Sequence, residues 1–279
     1  MNLMRYLEDA KGLDRLTGPV QRAARRLPPG RARDALHGVW LGHPLHPLLV
    51  QAPIGTWLSA SLLDAWPGND KASRRLVAAG LAAAVPAALA GTADWSEQHE
   101  QQMRTGLVHA AANVAALALY AASLAAPRRR AAALRLAGLA AAWAGGYLGG
   151  HIAYRQSAGA NQAEPVPHLV EPGWHDLLSL AEFGELDDHK PVRRMLGDVP
   201  VVLIRDGARL HVLSDRCSHL SGPLSDGEYH DGCLTCPWHG STFRVSDGGV
   251  ARGPATAPQP AFLTRTADGM LQVCLPGAG

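Results

Sequence analysis

Cys217-Ser218-His219, sixteen residues, then Cys236-Pro237-Trp238-His239-Gly240-Ser241: this stretch decides the reading of the second half of the chain. It holds two short pairs, each of one Cys and one His. Thiolate and imidazole are both metal ligands, and two such pairs separated by a spacer describe a site closed by two loops. The spacing is unlike that of a zinc finger, whose pairs run CxxC and HxxxH rather than mixing the two residue types. Of the four cysteines in the chain, Cys217, Cys233 and Cys236 lie within twenty residues and alternate with His, so metal binding is favoured over a disulfide framework.

This segment resembles the ligand loops of the Rieske family, and the resemblance covers about residues 172–276. It implies a small all-β domain of sandwich or barrel layers. It also implies a [2Fe–2S] cluster, with Cys217 and Cys236 on one iron and His219 and His239 on the other. Two neutral imidazoles in place of two thiolates make the centre easier to reduce than an all-Cys cluster; potentials run from about −150 to +300 mV, against about −400 mV for plant-type ferredoxins. Two positions depart from the respiratory branch of the family. That branch bridges its ligand loops with a disulfide, and here the corresponding positions are Ser221 and Trp238. It also carries a Tyr where this chain has Phe243, while Ser241 is kept. Loss of a hydroxyl aimed at the cluster lowers the potential, so an intermediate to low value is expected.

Strand patterns surround the motif. Val201-Val202-Leu203-Ile204 and Leu210-His211-Val212-Leu213 flank Asp206-Gly207 as a hairpin, and Leu271–Leu275 reads as a further strand. Cys233 is expected to be a buried free thiol.

Upstream the composition changes. Residues 1–164 carry 17 basic and 10 acidic residues, and 165–279 carry 9 and 14. The reversal of sign suggests two units with different surroundings. A basic, apolar half suits an anionic lipid surface; no aromatic-basic patch argues for nucleic acid. Four apolar stretches, near 46–66, 76–94, 107–126 and 131–154, approach the ~20 residues that cross a bilayer, with Trp and Tyr near several ends. The fold class is therefore multidomain: a basic arm (1–40), an all-α four-helix transmembrane bundle (41–156), a linker (157–171) and the β domain (172–276). No internal repeat is evident. In the arm, Leu3, Leu7, Leu13 and Leu16 allow an amphipathic helix, ended by Pro28-Pro29-Gly30.

The first stretch opens with His43-Pro44-Leu45-His46-Pro47, which resembles a family of bacterial four-helix membrane domains of uncharacterised function, over about residues 40–156. Polar residues within a membrane are costly and mark function. An up-down-up-down bundle would put His46, His109 and His151 at one end, with Asn113 on the same helix face as His109. These histidines are candidates for binding haem b or a quinone. The alternative is interfacial histidines satisfied by water and backbone.

The expected protein is a one-electron carrier of the cell membrane, multi-pass, in contact with the lipid bilayer and with a redox partner protein or quinone. A redox sensor in which the cluster state biases the helices is the alternative. A stand-alone Rieske oxygenase is a poor reading, since only 40 residues, without His, follow His239. Basic residues near the helix ends lean towards an external Rieske domain. The absence of a secretory signal, the missing disulfide and the basic arm lean towards the cytoplasm, which is favoured.

Overall fold

The computed structural model describes residues 3–26 and 29–277; Pro28 and the side chain of Leu3, both used in reading the arm, lie outside them. In chain order the helices are α1 (Leu3–Glu8), α2 (Asp14–Ala24), α3 (Arg31–His37), α4 (His46–Leu49) and α5 (Gln51–Leu63). They continue as α6 (Asp70–Trp95), α7 (Glu100–Ala125), α8 (Arg128–Gly150), α9 (Val166–Leu169) and α10 (Leu180–Glu185). The strands are β1 (His175–Ser179), β2 (Val192–Leu196), β3 (Val199–Asp206), β4 (Arg209–Ser214) and β5 (Glu228–His230). They end with β6 (Cys233–Thr235), β7 (Thr242–Arg244), β8 (Val250–Arg252), β9 (Ala261–Ala267) and β10 (Met270–Cys274). The chain divides into two compact units: 1–29 with 44–158, and 30–43 with 159–279.

In the helical unit, α6, α7 and α8 with its continuation to Arg155 are long and apolar enough to cross a membrane. The first expected span is not: it is broken at Val50 into α4 and the 13-residue α5. Pro53 explains the break, because it has no N–H to give the carbonyl of Leu49. At 1.5 Å per residue α5 is about 20 Å long, short of the ~30 Å hydrocarbon core. The helices wear their large apolar side chains outside: Leu58, Val85, Leu89, Val114, Leu136 and Trp143 are exposed. Ser73, Ser123 and Arg135 are buried, and Arg135 reaches Asp64 at 3.1 Å and Asp70 at 3.2 Å. A bundle in water has the opposite arrangement.

Residues 3–26 dock on this bundle through polar contacts. Buried Arg104 of α7 grips Asp14 at 2.6 and 2.8 Å and donates to the Glu8 carbonyl at 2.9 Å. Arg25 pairs with Glu97 at 2.8 Å. The hydrogen bond from Arg104 holds the Asp14 carboxyl below its ordinary pKa.

Packing also reveals a repeat that is not evident in the letters. Trp57 follows His46 by the same interval that Tyr120 follows His109, and the two rings stack at 4.5 Å, 16° from parallel. The buried positions of α6 (Ser73, Val77, Gly80, Ala84, Ala87, Ala90) recur in α8 as Ala131, Arg135, Gly138, Ala142, Gly145 and Leu148, all at one offset. Gly80 and Gly138, and Ala84 and Ala142, share a residue; the other pairs share only their burial.

The β unit is built from two antiparallel sheets, one of six strands in the order β1-β10-β9-β4-β3-β2 and one of four, β5-β6-β7-β8. The expected hairpin is β3–β4, with Val202 opposite Leu213 and Asp206 opposite Arg209. β3 is buried along most of its length because both its faces are covered. Val199, Val201 and Leu203 enter one core with Val212, Leu271 and Val273. Val202 and Ile204 enter a second with Leu234, Phe243, Cys217 and Cys236. That second core carries the two candidate ligand cysteines. Residues 30–43 belong to this unit: Asp34 of α3 accepts from the Gly253 N–H at 3.0 Å.

Candidate metal centre

Two loops present the motif residues, and they are built alike. The first, 217–222, follows β4; the second, 236–241, joins β6 to β7. In the first, the Cys217 N–H donates to the Gly222 carbonyl at 2.9 Å, and the Ser221 N–H returns to the Cys217 carbonyl at 2.8 Å. In the second, the Cys236 N–H donates to the Ser241 carbonyl at 2.8 Å, and the Gly240 N–H returns to the Cys236 carbonyl at 3.1 Å. Each loop therefore turns at the fourth residue after its Cys, and both residues there are left-handed: Ser221 at φ 61° and Gly240 at φ 75°. Glycine takes this conformation without cost; Ser221 takes it against its preference. The same geometry aims the N–H groups of His219 and Leu220 at Cys217 Sγ, and those of Trp238 and His239 at Cys236 Sγ.

The thiols of Cys217 and Cys236, only 1% and 2% exposed, hydrogen-bond one another. That bond, with help from the two backbone N–H groups, brings the Cys236 thiol down to about 7 and pushes Cys217 up. The two sulfurs are thus held side by side within one buried site. The rings of His219 and His239 form a second pair, centroids 5.0 Å apart and 84° between planes, each half-buried. Trp238 stands edge-on to His239 at 6.4 Å and is half exposed. Among the described residues no three His, Cys, Asp or Glu side chains gather as a single metal ion would need. The donors come as a pair of sulfurs and a separate pair of imidazoles, an arrangement that fits a two-iron centre.

Neighbouring groups shape the site. Gly222 lies against the second loop, and a Cβ there would stand 2.9 Å from Cys236 Sγ. Ser241 Oγ, buried, accepts from the Ala255 N–H at 2.9 Å, which leaves its own proton to give elsewhere. Phe243 is fully buried beside both cysteines and offers no hydroxyl. Asp215, also buried, braces the first loop by accepting from the Ser225 N–H at 2.6 Å. Sequence reasoning missed Gly222, Asp215 and Ala255; nothing in their spacing marks them. Cys233 is half-buried, and none of the four cysteines is in a disulfide.

The helix histidines are divided. His46 and His109 face each other with centroids 6.2 Å apart. His151 does not join them by any contact seen; its Nε2 meets Glu8 Oε1 at 2.7 Å. His151 also opens a π-helical turn, His151–Arg155, a form often found at functional positions. Asn113 donates to the His109 carbonyl at 2.9 Å.

Comparison with known proteins agrees with this division. Residues 176–265 match the Rieske [2Fe-2S] domain, and residues 42–162 match a family described as predicted membrane protein (DUF2231). The anthranilate 1,2-dioxygenase ferredoxin subunit of Burkholderia cepacia is 34% identical over 100 residues, which is 36% of this chain and 90% of that protein. Ferredoxin CarAc of Metapseudomonas resinovorans is 31% identical over 84 residues, 29% of this chain and 78% of its own. Among solved structures, the ferredoxin of carbazole 1,9a-dioxygenase from Nocardioides aromaticivorans IC177 aligns at 23% identity over 37% of this chain and 97% of that one, with a TM-score of 0.34.

Proposed function

The chain belongs to the Rieske [2Fe–2S] family, and we propose that it is a membrane-bound one-electron carrier whose cluster is held by Cys217, His219, Cys236 and His239. The observation that carries the ligand assignment is the pairing of thiol with thiol and ring with ring on two loops of identical hydrogen bonding. Bound there, the cluster supplies reversible uptake of one electron.

The chain's own residues divide the remaining work. Cys217 and Cys236 hold their iron inside the second core, where water is excluded. His219 and His239 hold the other iron at the surface, so electrons enter and leave by the imidazole edges, with Trp238 beside them. The N–H groups of residues 219, 220, 238 and 239 stabilise the negative sulfurs, and Ser241 has a proton to add. Phe243 adds none, which places the potential in the intermediate to low part of the Rieske range. Ferredoxin relatives that serve dioxygenases support a protein redox partner. The outward apolar faces of α6–α8 support anchoring in lipid, and the histidines of the helical unit support a second redox group there, haem or quinone. The basic arm supports a Rieske domain in the cytoplasm.

The test is electron paramagnetic resonance and iron and sulfide analysis of the detergent-purified chain. About two irons and two sulfides per chain and a Rieske signal are expected, both lost in Cys217→Ser and His219→Ala. A fully loaded protein with a midpoint above about +200 mV would contradict the role given to Phe243. Protease accessibility of the β unit in intact cells against spheroplasts decides its side of the membrane.

A further inference from the structure

The repeat in the helical unit places two histidines on its pseudo-two-fold relation. His46 and His109 are equivalent positions, as are Trp57 and Tyr120. Their surroundings are equivalent too. His46 Nδ1 lies 2.8 Å from the carbonyl of Ala87 in α6, and His109 Nδ1 lies 2.7 Å from the carbonyl of Gly145 in α8. Ala87 and Gly145 occupy the same place in the two repeats. One turn further on, Gly91 and Gly149 make room for the rings: a Cβ at Gly91 would stand 2.7 Å from His46 Nδ1, and one at Gly149 3.2 Å from His109 Cε1.

A carbonyl can only accept, so both Nδ1 atoms carry a proton, and a neutral ring of this tautomer keeps its lone pair on Nε2. A backbone acceptor on Nδ1 is also the usual support of a metal-ligating histidine. The Asn113 amide nitrogen is almost equidistant from the two nitrogens of His109, 3.5 and 3.3 Å, and so lies over the ring face and leaves the in-plane lone pair free.

Distance decides what the pair would hold. A quinol hydrogen-bonded at both ends would hold the two nitrogens roughly 11 Å apart, whereas rings with centres this close allow at most about 8.5 Å. A metal with nitrogen bonds of about 2 Å on opposite sides, each ring centre roughly 1 Å behind its nitrogen, sets the centres about 6 Å apart. The observed separation is 6.2 Å. Among the described residues no third His, Cys, Asp or Glu completes a coordination shell, so the metal must bring its other ligands with it. A porphyrin iron does: four ring nitrogens bind it and two axial positions remain.

We propose that His46 and His109 are the axial ligands of one haem on the pseudo-two-fold relation of the helical unit, and that His151 is not a ligand. This deepens the membrane electron-carrier reading and rests on it. A six-coordinate haem of this kind gains or loses one electron at iron with no bond made or broken.

The test uses the full chain, expressed with a haem precursor and purified in detergent. Porphyrin is measured as the pyridine complex, and the cluster by its iron–sulfur signal. About one low-spin haem per chain is expected. His46→Ala and His109→Ala should each lose it, while His151→Ala keeps it and all three keep the cluster. Where an alanine variant folds poorly, His46→Gly and His109→Gly with added imidazole should regain the low-spin spectrum. Cluster-loaded protein that takes no haem even from added hemin overturns the proposal, as does retention of the low-spin spectrum in His46→Ala or a metal bound without porphyrin. Haem without a cluster would instead refute the Rieske ligand assignment and leave this one standing.

Discussion

Gly222→Ala is a single-methyl test of the metal centre. The added Cβ would lie 2.9 Å from Cys236 Sγ and 3.0 and 3.1 Å from the Trp238 ring. Ordinary non-bonded contacts begin at about 3.5 Å, so one neighbour must retreat by roughly half an ångström. Trp238 is 50% exposed and can swing out. Cys236 cannot: it is 2% exposed, takes two backbone N–H groups on its sulfur, and faces Cys217. Gly222 has no positive φ, so the substitution carries no backbone penalty and reads packing alone. Overpacking of this kind costs about 1–3 kcal/mol. A bound iron would fix the Cys236 sulfur more tightly than its hydrogen bonds do, so the strain would fall mainly on the loaded form. At about 1.4 kcal/mol per factor of ten, cluster loss should be about ten- to a hundredfold faster. The assay is decay of the iron–sulfur absorbance under a chelator, with Gly184→Ala, which meets nothing within 4 Å, as the control. A Gly222→Ala protein that keeps its cluster as long as the parent would refute the packing argument.

Phe243→Tyr should raise the midpoint potential. A new hydroxyl beside Cys217 and Cys236 that binds the reduced state about 1 kcal/mol more tightly corresponds to roughly 40 mV, at 59 mV per tenfold for one electron, readable by voltammetry. Asp14→Asn should release residues 1–29 from the bundle, seen as faster limited proteolysis there. The pH dependence has the same origin: the folded-state pKa of Asp14 lies below its unfolded value near 3.8, so its contribution is whole above that value and is lost as pH falls through the depressed one. Protection of 1–29 should therefore fade in acid, and no fading in acid would count against the Arg104–Asp14 clamp. Gly91→Ala should drive the added methyl into the His46 ring, and a haem spectrum unchanged by it would weaken the paired-axial-ligand assignment.

The β unit was legible because its signals are local: a Cys–x–His and a Cys–x–x–His, an Asp-Gly turn between two apolar runs, and a continuous apolar run where β3 is covered on both faces. The supports of the site were not. Gly222 matters through a contact across the loops, Ala255 through one backbone N–H, and Asp215 through Ser225, none of which a spacing rule can find. In the helices, length and apolarity identified three spans. The first stretch is divided at Val50 because a single proline at position 53 removes one N–H, an effect that a hydropathy average does not register. The repeat escaped notice because most of its shared letters are Gly and Ala, common throughout these helices, while its larger residues differ, Val77 against Arg135 and Trp57 against Tyr120.

The two cores on either side of β3 explain why one site can be both firmly held and open to exchange. Cys217 and Cys236 are members of the second core, packed with Val202, Leu213, Leu234 and Phe243, so binding metal there is coupled to folding of that core. Without iron that core would hold two buried sulfurs that hydrogen-bond one another. His219 and His239 are members of neither core and are half exposed. A substitution at the sulfur end should therefore be read first in melting temperature and cluster lifetime, and one at the imidazole end first in potential and exchange rate with the domain still folded. His239→Ala and Phe243→Ala separate the two: the first should lose the Rieske signal with the β unit intact, and the second should loosen the core around both cysteines. Equal loss of thermal stability in the two variants would show that the site is a single unit and that the division between core and edge does not hold.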